Sequence, residues 1–226
     1  MATIEYVADY PRPPRIELIS GTVSIHISNE IIAKDCEYIR VCETFHPPSI
    51  YVKPSAFAPG TLHQVSGRPS FCEWKGLATY WDLSQSSGKN IRQKAGWSYD
   101  NPDHRYSSLK SWISVYPRVV DGCYLEGEEV IPQPGLFYGG WITSWIKGPF
   151  KGDPNHPELI WPKISLKNKI ENGTKVHSTF YIARDNQCND SCIQGQESNA
   201  ELDFVLHCLI IANRWEVPRA QNGVKW

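Results

Sequence analysis

In Thr22-Val23-Ser24-Ile25-His26-Ile27-Ser28, apolar side chains alternate strictly with polar ones. A period of two residues places the apolar side chains on one face of a β-strand and the polar ones on the other. Asn29-Glu30 then favours a turn, and the segment from Tyr38 to Glu43 alternates again. The stretch therefore predicts two consecutive half-buried strands that run antiparallel.

The pattern of short strands continues toward residue 152. Val119 to Leu125 and Val130-Ile131 flank Glu126-Gly127, which is the signal of a β-hairpin. Further strands are predicted at residues 50–52, 77–83, 91–97 and 112–116. Short strands with turn residues between them are typical of an antiparallel β fold. We therefore predict one mainly β domain over residues 1–152.

The chain changes character after residue 152. Asp153-Pro154-Asn155-His156-Pro157 is linker-like, residues 163–175 are polar and weakly patterned, and residues 174–183 predict one strand. One helix is expected because apolar side chains then share a helical face, at Leu202, Val205, Leu206, Leu209 and Ile210. Residues 153–226 are thus predicted to form a mixed strand and helix extension, either a lid or the contact of a homodimer.

Composition excludes several classes of function. Lys and Arg total 23 against 24 Asp and Glu, so no basic field exists for a nucleic acid backbone. No apolar run reaches the roughly 18 residues that a membrane span needs. The seven cysteines are scattered and the first residues do not resemble a signal peptide, which favours reduced thiols. We expect a cytoplasmic protein that binds neither nucleic acid nor membrane.

The sequence offers no motif for a metal or a cofactor. Cys188 and Cys192 are separated by three residues, and no second cysteine pair matches them, so a zinc knuckle is not expected. Neither a phosphate-binding loop nor a G-x-G-x-x-G turn follows a predicted strand. We predict no metal and no cofactor.

Several segments occur together in the order typical of one family. They are Tyr10-Pro11-Arg12-Pro13-Pro14-Arg15, Glu43 through His46-Pro47-Pro48, Phe71-Cys72-Glu73-Trp74-Lys75-Gly76, Trp97-Ser98-Tyr99, Tyr116-Pro117, and Phe137 to Lys151. Over about residues 10–152 the chain resembles the domain of unknown function 427 family. The resemblance implies coiled, tent-like β sheets similar to methionine sulfoxide reductase B domains, and it implies no settled activity. The chain departs from the family at Glu73, where Pro is usual.

The first candidate constellation is Cys72-Glu73-Trp74-Lys75. On a strand, Cys72 and Trp74 would share one face while Glu73 and Lys75 share the other. An acid and a base that face one cavity could donate and accept protons. The alternative is an exposed ion pair with Cys72 packed as a small hydrophobe. A nucleophilic Cys72 would need a nearby base, which His46 could supply.

The second constellation is Arg40, Glu43 and His46. Histidine is suited to proton transfer near neutral pH, and the neighbouring charges could orient it or bind an anionic or carbonyl group. The alternative is that His46 caps the turn before Pro47-Pro48 while Arg40 and Glu43 form an ordinary ion pair.

The third constellation is aromatic. Trp97 and Trp141 fit either the core or the wall of a pocket, whereas the phenols of Tyr99 and Tyr138 could polarise a substrate oxygen. Gly139-Gly140 either holds a sharp turn or offers backbone N–H groups to a ligand.

Together these patterns predict a cofactor-independent enzyme that uses general acid–base chemistry on a small, largely apolar organic molecule. The reaction classes that fit are isomerisation, cyclisation, dehydration and hydrolysis, and specialised metabolism is a setting that would suit them. The predicted catalytic residues are His46, Glu73, Lys75, Tyr99 and Tyr138. The predicted substrate-binding residues are Arg40, Glu43, Cys72, Trp74, Trp97 and Trp141. The alternative is a non-catalytic module that binds a small molecule or a peptide.

Overall fold

The computed structural model describes residues 3–67 and 69–159, and the backbone of three later strands, Lys163–Glu171, Thr174–Ala183 and Ile193–Gly195. The chain divides into two compact units, Met1–Asn155 and His156–Trp226. The helix predicted around residues 202–210 lies outside the described residues.

The first unit is built from short strands. In chain order they are β1 Glu5–Tyr6, β2 Arg15–Ile27, β3 Glu30–Cys42, β4 Ser49–Val52, β5 Leu62–Gln64, β6 Ser70–Cys72, β7 Gly76–Leu83, β8 Arg92–Ser98, β9 Ile113–Val115, β10 Gly122–Leu125, β11 Glu128–Glu129, β12 Ile131–Pro132, β13 Trp141–Ile142 and β14 Ile146–Lys147. Short 3-10 helices occur at Val7–Asp9, Pro54–Ala56, His104–Leu109 and, in the second unit, Pro157–Leu159.

One antiparallel sheet of ten strands organises this unit. Its order is β11-β10-β2-β3-β4-β9-β8-β7-β5, and β6 pairs with β7. Two small sheets pair β1 with β14 in parallel and β12 with β13 antiparallel. The predicted mainly β, antiparallel fold is confirmed. Within the described residues, no helix is long and apolar enough to cross a membrane.

The hairpin of β2 and β3 forms as its alternation predicts. Val23, Ile25 and Ile27 are buried, and Ile27 pairs with Glu30 across the turn. The register shifts between Ser20 and Val23, and such a bulge bends a strand and increases its twist. Gly21 lies inside this shift, where a Cβ would collide with the carboxylate of Glu126.

The predicted turn at Glu126-Gly127 is also present. Both residues have positive φ, 52° and 78°, as the type I′ hairpin turn requires. The hairpin is closed by β11, Glu128–Glu129, whereas Val130-Ile131 was predicted and Ile131 begins β12 instead. Strands β1, β5, β13 and β14 were not predicted, because two or three residues are too few to show a period.

The described part of the second unit contains one strand that was predicted and two that were not, Lys163–Glu171 and Ile193–Gly195. Thr174–Ala183 is a strand as expected, and Lys163–Glu171 pairs with it antiparallel. The polar composition of residues 163–175 concealed this strand, since a backbone ladder does not require apolar side chains.

The core of the first unit has two main clusters of buried side chains. The larger one lines the β2–β3 hairpin and includes Ile25, Ile32 and Trp141. The second consists of Ile39, Val41, Tyr51, Ala78, Trp97, Tyr99, Tyr106 and Leu109, with Cys72 and Trp74 packed against it. The second cluster is the apolar support of the site described below.

The core assignment predicts a sharp contrast between two adjacent isoleucines of β3. Ile32 is fully buried, whereas Ile31 is 47% exposed. We expect Ile32→Ala to lower the free energy of unfolding by about 2–5 kcal/mol, because it leaves a cavity. The matched variant Ile31→Ala should cost less than about 1 kcal/mol. Chemical denaturation followed by tryptophan fluorescence measures both, and equal losses would contradict the assignment.

Candidate functional site

Ionisable side chains from separate segments of the first unit gather around the carboxylate of Glu43. Glu43 interacts electrostatically with Arg12, His46, Lys75 and Lys151, and Lys151 interacts in turn with Glu73. The centroid of the Tyr138 ring lies 5.1 Å from the ring centroid of His46 and 5.9 Å from the Lys151 ammonium. We call this set the charged cluster: Arg12, Glu43, His46, Glu73, Lys75, Tyr138 and Lys151.

Glu43 is the shared counter-charge of the cluster. Its Oε1 accepts a hydrogen bond of 2.7 Å from Nη2 of Arg12. Burial raises the pKa of Glu43, but its interactions with His46, Lys75 and the other cations outweigh burial and hold the pKa below its usual range. The carboxylate is therefore charged at neutral pH.

The imidazole of His46 is held by the amide of Gln133. Gln133 Oε1 accepts from the N–H of Gly140 at 3.1 Å, and Nε2 donates to the carbonyl of Lys151 at 2.8 Å. These two backbone groups distinguish the oxygen of the Gln133 amide from its nitrogen. The second N–H of Nε2 therefore points to Nδ1 of His46, 3.1 Å away. His46 Nδ1 is thus an acceptor, and in neutral His46 the proton must reside on Nε2.

His46 is neutral in this environment. Burial lowers its pKa to about 4, although Glu43 acts in the opposite direction. A neutral imidazole with its proton on Nε2 is suited to donate a hydrogen bond to a ligand oxygen. Gln133 was not among the predicted site residues. The one indication of its role in the sequence is its position between two prolines, Pro132 and Pro134.

Lys75 and Lys151 are both buried, with 8% and 6% exposure, but their pKa values move in opposite directions. Burial lowers the pKa of Lys75, yet interactions with Cys72, Tyr51 and Glu43 prevail and raise it above its usual value. Burial and the charge of Arg12 lower the pKa of Lys151 to about 8. Lys75 therefore stays a cation, whereas Lys151 can exchange a proton near neutral pH.

Lys151 was not among the predicted site residues. It belongs to the quoted segment from Phe137 to Lys151, but one lysine in a Gly- and Pro-containing loop carries no local sign of burial. The burial of Lys151 is evident only from the packing of this loop against Tyr138 and Gln133.

The segment Cys72-Glu73-Trp74-Lys75 does not form the predicted continuous strand. β6 ends at Cys72, which pairs with Gly76 at the start of β7, so residues 73–75 form the turn of a hairpin. Glu73 is consequently exposed while Lys75 points inward. Gly76, with φ of 95°, allows this tight return.

Cys72 and Trp74 both pack against the second core cluster. Cys72 is a half-buried free thiol. The indole N–H of Trp74 is buried and has no hydrogen-bond partner among the described residues.

Arg40 lies in a different ion-pair network. It donates from Nη1 to Glu5 at 2.7 Å and from Nε to Glu17, and it makes no ion pair with Glu43. The predicted alternative of an Arg40–Glu43 pair is wrong, because the β2–β3 register places Glu17 directly opposite Arg40. Arg40 and the charged cluster are thus separate features.

Two of the three predicted tryptophans, Trp97 and Trp141, are core residues. Trp97 donates from Nε1 to the hydroxyl of Tyr51 at 3.1 Å, and Trp141 donates to the carbonyl of Val115 at 3.1 Å. A Cβ on Gly139 would collide with the Trp97 ring, so this glycine allows a close approach of the backbone. The N–H of Gly140 is already bonded to Gln133, which favours the structural role of the Gly139-Gly140 pair.

The two predicted tyrosines occupy different environments. Tyr99 is 4% exposed, and its ring centroid lies 5.9 Å from the Lys75 ammonium. Tyr138 is half-buried, and burial together with Glu43 raises its pKa to about 12. The Tyr138 phenol therefore keeps its proton and can donate a hydrogen bond.

Other features of the described residues lie apart from the charged cluster. A cleft of about 330 Å³ is lined by residues 64–67, 69, 78–80 and 94, and it shares no side chain with the cluster. In residues 3–67 and 69–159, no group of three or more His, Cys, Asp or Glu side chains is placed to hold a metal ion.

Comparison with known proteins identifies a family model that matches part of the chain. Residues 15–126 match a family model described as a domain of unknown function (DUF427). No curated protein matches the chain. The matched range includes Glu43, His46, Glu73 and Lys75 of the cluster, whereas Lys151 and its neighbours Gln133 and Tyr138 follow it.

The Gln133 contact predicts the protonation behaviour of His46. We expect a neutral imidazole with its proton on Nε2 from neutral pH to about pH 5, and protonation only near pH 4. An unfolded histidine titrates near pH 6.5, so the unfolded chain binds a proton that the folded chain does not. The stability that His46 contributes is therefore complete above about pH 6.5 and is lost as the pH falls toward 4.

Imidazole ¹⁵N–¹H correlation spectra over this pH range measure the tautomer directly. Gln133→Leu serves as the comparison, because it removes the donor to Nδ1 and should release the tautomer. A His46 imidazolium at pH 6 in the wild-type chain would contradict the assignment.

Proposed function

Through residues 15–126 the chain belongs to the DUF427 family, and since that description names no activity, we propose one from the charged cluster. The protein is a cofactor-independent enzyme that applies general acid–base chemistry to a small, largely apolar organic molecule. Isomerisation, cyclisation, dehydration and hydrolysis are the reaction classes, with specialised metabolism as the setting.

The observation that carries this proposal is the pair of buried lysines around Glu43. Groups whose surroundings push their pKa values apart are suited to different roles in proton transfer. Lys151, with a pKa of about 8, can accept and return a proton near neutral pH. Lys75 keeps its positive charge and can stabilise negative charge that develops on a substrate oxygen.

Two further groups can orient a substrate oxygen. His46 offers its Nε2–H and Tyr138 its phenol O–H, and their rings are in edge contact, with centroids 5.1 Å apart. Because Lys75 and Lys151 are buried, their electrostatic interactions are stronger than at a solvated surface. Arg12 and Glu73 are exposed members of the cluster, so we expect a substrate to approach from their side.

The proposal places the enzyme in the cytoplasm. Cys36, Cys42, Cys72 and Cys123 are free thiols. Cytoplasmic reductants keep thiols in this state, which supports the assignment.

Exchange of carbon-bound hydrogen with solvent tests the proposal and does not require that the product be identified. In D₂O, a panel of small apolar molecules with acidic C–H bonds is incubated with the full chain, and deuterium incorporation is measured by mass spectrometry. We expect Lys151→Met to lower the exchange rate by about 10²- to 10⁴-fold, because the proton acceptor is lost. Lys34→Met, which removes an exposed lysine of β3, should leave the rate unchanged.

Ligand-observed NMR on the same panel separates catalysis from binding. Under the proposal, Lys151→Met retains binding while it loses exchange. If compounds bind to the wild-type chain and none exchanges or turns over, the protein is a non-catalytic binding module.

A further inference from the structure

We propose that Lys151 forms a covalent iminium with its substrate, which defines the substrate class as a small aldehyde or ketone. This inference rests on the proposed acid–base function of the charged cluster. It adds a covalent step and a carbonyl carbon as the reacting atom.

The backbone of Lys151 is held on both sides. Its N–H donates to the carbonyl of Phe45 at 2.8 Å, and its carbonyl accepts from Gln133 Nε2 at 2.8 Å. Gly152 then follows with φ of 92°, at a position where a Cβ would overlap the carbonyl of Pro134. These contacts fix the origin of the Lys151 side chain beside His46.

The Lys151 side chain is buried, and in the described part of the chain its ammonium lies 5.9 Å from the centroid of the Tyr138 ring. It makes no hydrogen bond or ion pair there, and Glu43 is already bonded to Arg12 at 2.7 Å. A buried lysine normally requires an ion pair, and one that lacks it releases its proton more readily. A desolvated lysine next to another cation is the arrangement that activates an amine as a nucleophile.

The protonation of Lys151 supports this chemistry. A lysine with a pKa of about 10.4 is only about 0.04% neutral at pH 7, whereas a pKa of about 8 leaves about a tenth of the amine neutral. Lys75 is buried as well, but it stays protonated and so cannot serve as the nucleophile.

The covalent step is balanced without an oxidant or a reductant. The ammonium of Lys151 first gives a proton to a nearby base, and the amine then adds to the carbonyl carbon as the C–O π pair moves to oxygen. The carbinolamine then loses this oxygen as water. Both hydrogens of that water come from the original ammonium group, and the third stays on the nitrogen. The product is a protonated imine, which withdraws electrons from the adjacent C–H bond and eases its deprotonation.

Neighbouring residues supply the remaining roles. Glu73 is an exposed carboxylate whose charge acts on Lys151, so it is the candidate that relays the ammonium proton to solvent. The N–H of His46 and the O–H of Tyr138 can hold the carbonyl oxygen as it becomes a hydroxyl and departs.

Reductive trapping tests the inference on the full chain. The protein is incubated at pH 7 with propanal or butanone and sodium cyanoborohydride, which reduces an iminium to a stable alkyl-lysine, and each lysine is quantified by peptide mass spectrometry. We expect Lys151 to be alkylated at least about tenfold faster than the exposed Lys34, because about a tenth of the Lys151 amine is neutral at pH 7. Lys151→Arg should abolish the preferred adduct.

A second pair of variants tests the environment of the amine. Arg12→Gln removes a cation that lowers the pKa of Lys151, so labelling at pH 7 should fall and its pH profile should move to higher pH. The matched variant Arg105→Gln, at an exposed arginine, should change neither. Near-UV circular dichroism verifies that each variant is folded.

The outcomes distinguish this inference from the proposed function. Labelling of Lys151 at the rate of Lys34 in the folded protein overturns the iminium. Solvent exchange with no trapped adduct also overturns it but leaves the acid–base proposal in place. A selective Lys151 adduct without exchange or turnover upholds the covalent chemistry and overturns the proposed enzyme function.

Discussion

The site depends on one interaction, that of the Glu43 carboxylate with the cations around it. Charges removed from water are tolerated only when opposite charges lie close by, and Glu43 supplies the negative charge for Arg12, Lys75 and Lys151. The four side chains come from the segment before β2, the residue that follows β3, the β6–β7 turn and the segment after β14. The cluster therefore requires that distant parts of the first unit fold together.

Gln133 connects the fold to the chemistry. One uncharged amide bonds the backbone at Gly140 and Lys151 and also faces the imidazole of His46. Its orientation is dictated by the backbone, so the fold itself selects the tautomer of His46. A buried amide can thus decide whether a neighbouring histidine donates or accepts a hydrogen bond.

The aromatic residues divide by burial. Trp97 and Trp141 use their N–H groups within the core, whereas Tyr138 remains half-buried with a proton to donate. The abundance of aromatics next to glycines therefore reflects tight packing as much as ligand binding, since Gly139 makes room for the Trp97 ring.

The local structure could be predicted from the sequence, because the alternation of apolar and polar residues and the residue preferences of turns depend on neighbours along the chain. The β2–β3 hairpin and the Glu126-Gly127 turn were predictable for that reason. The partners of Arg40, the inward direction of Lys75 and the burial of Lys151 were decided by the tertiary structure alone. Strand register and loop packing join residues far apart in the chain, and a charge becomes a reactive group only once its surroundings have replaced water.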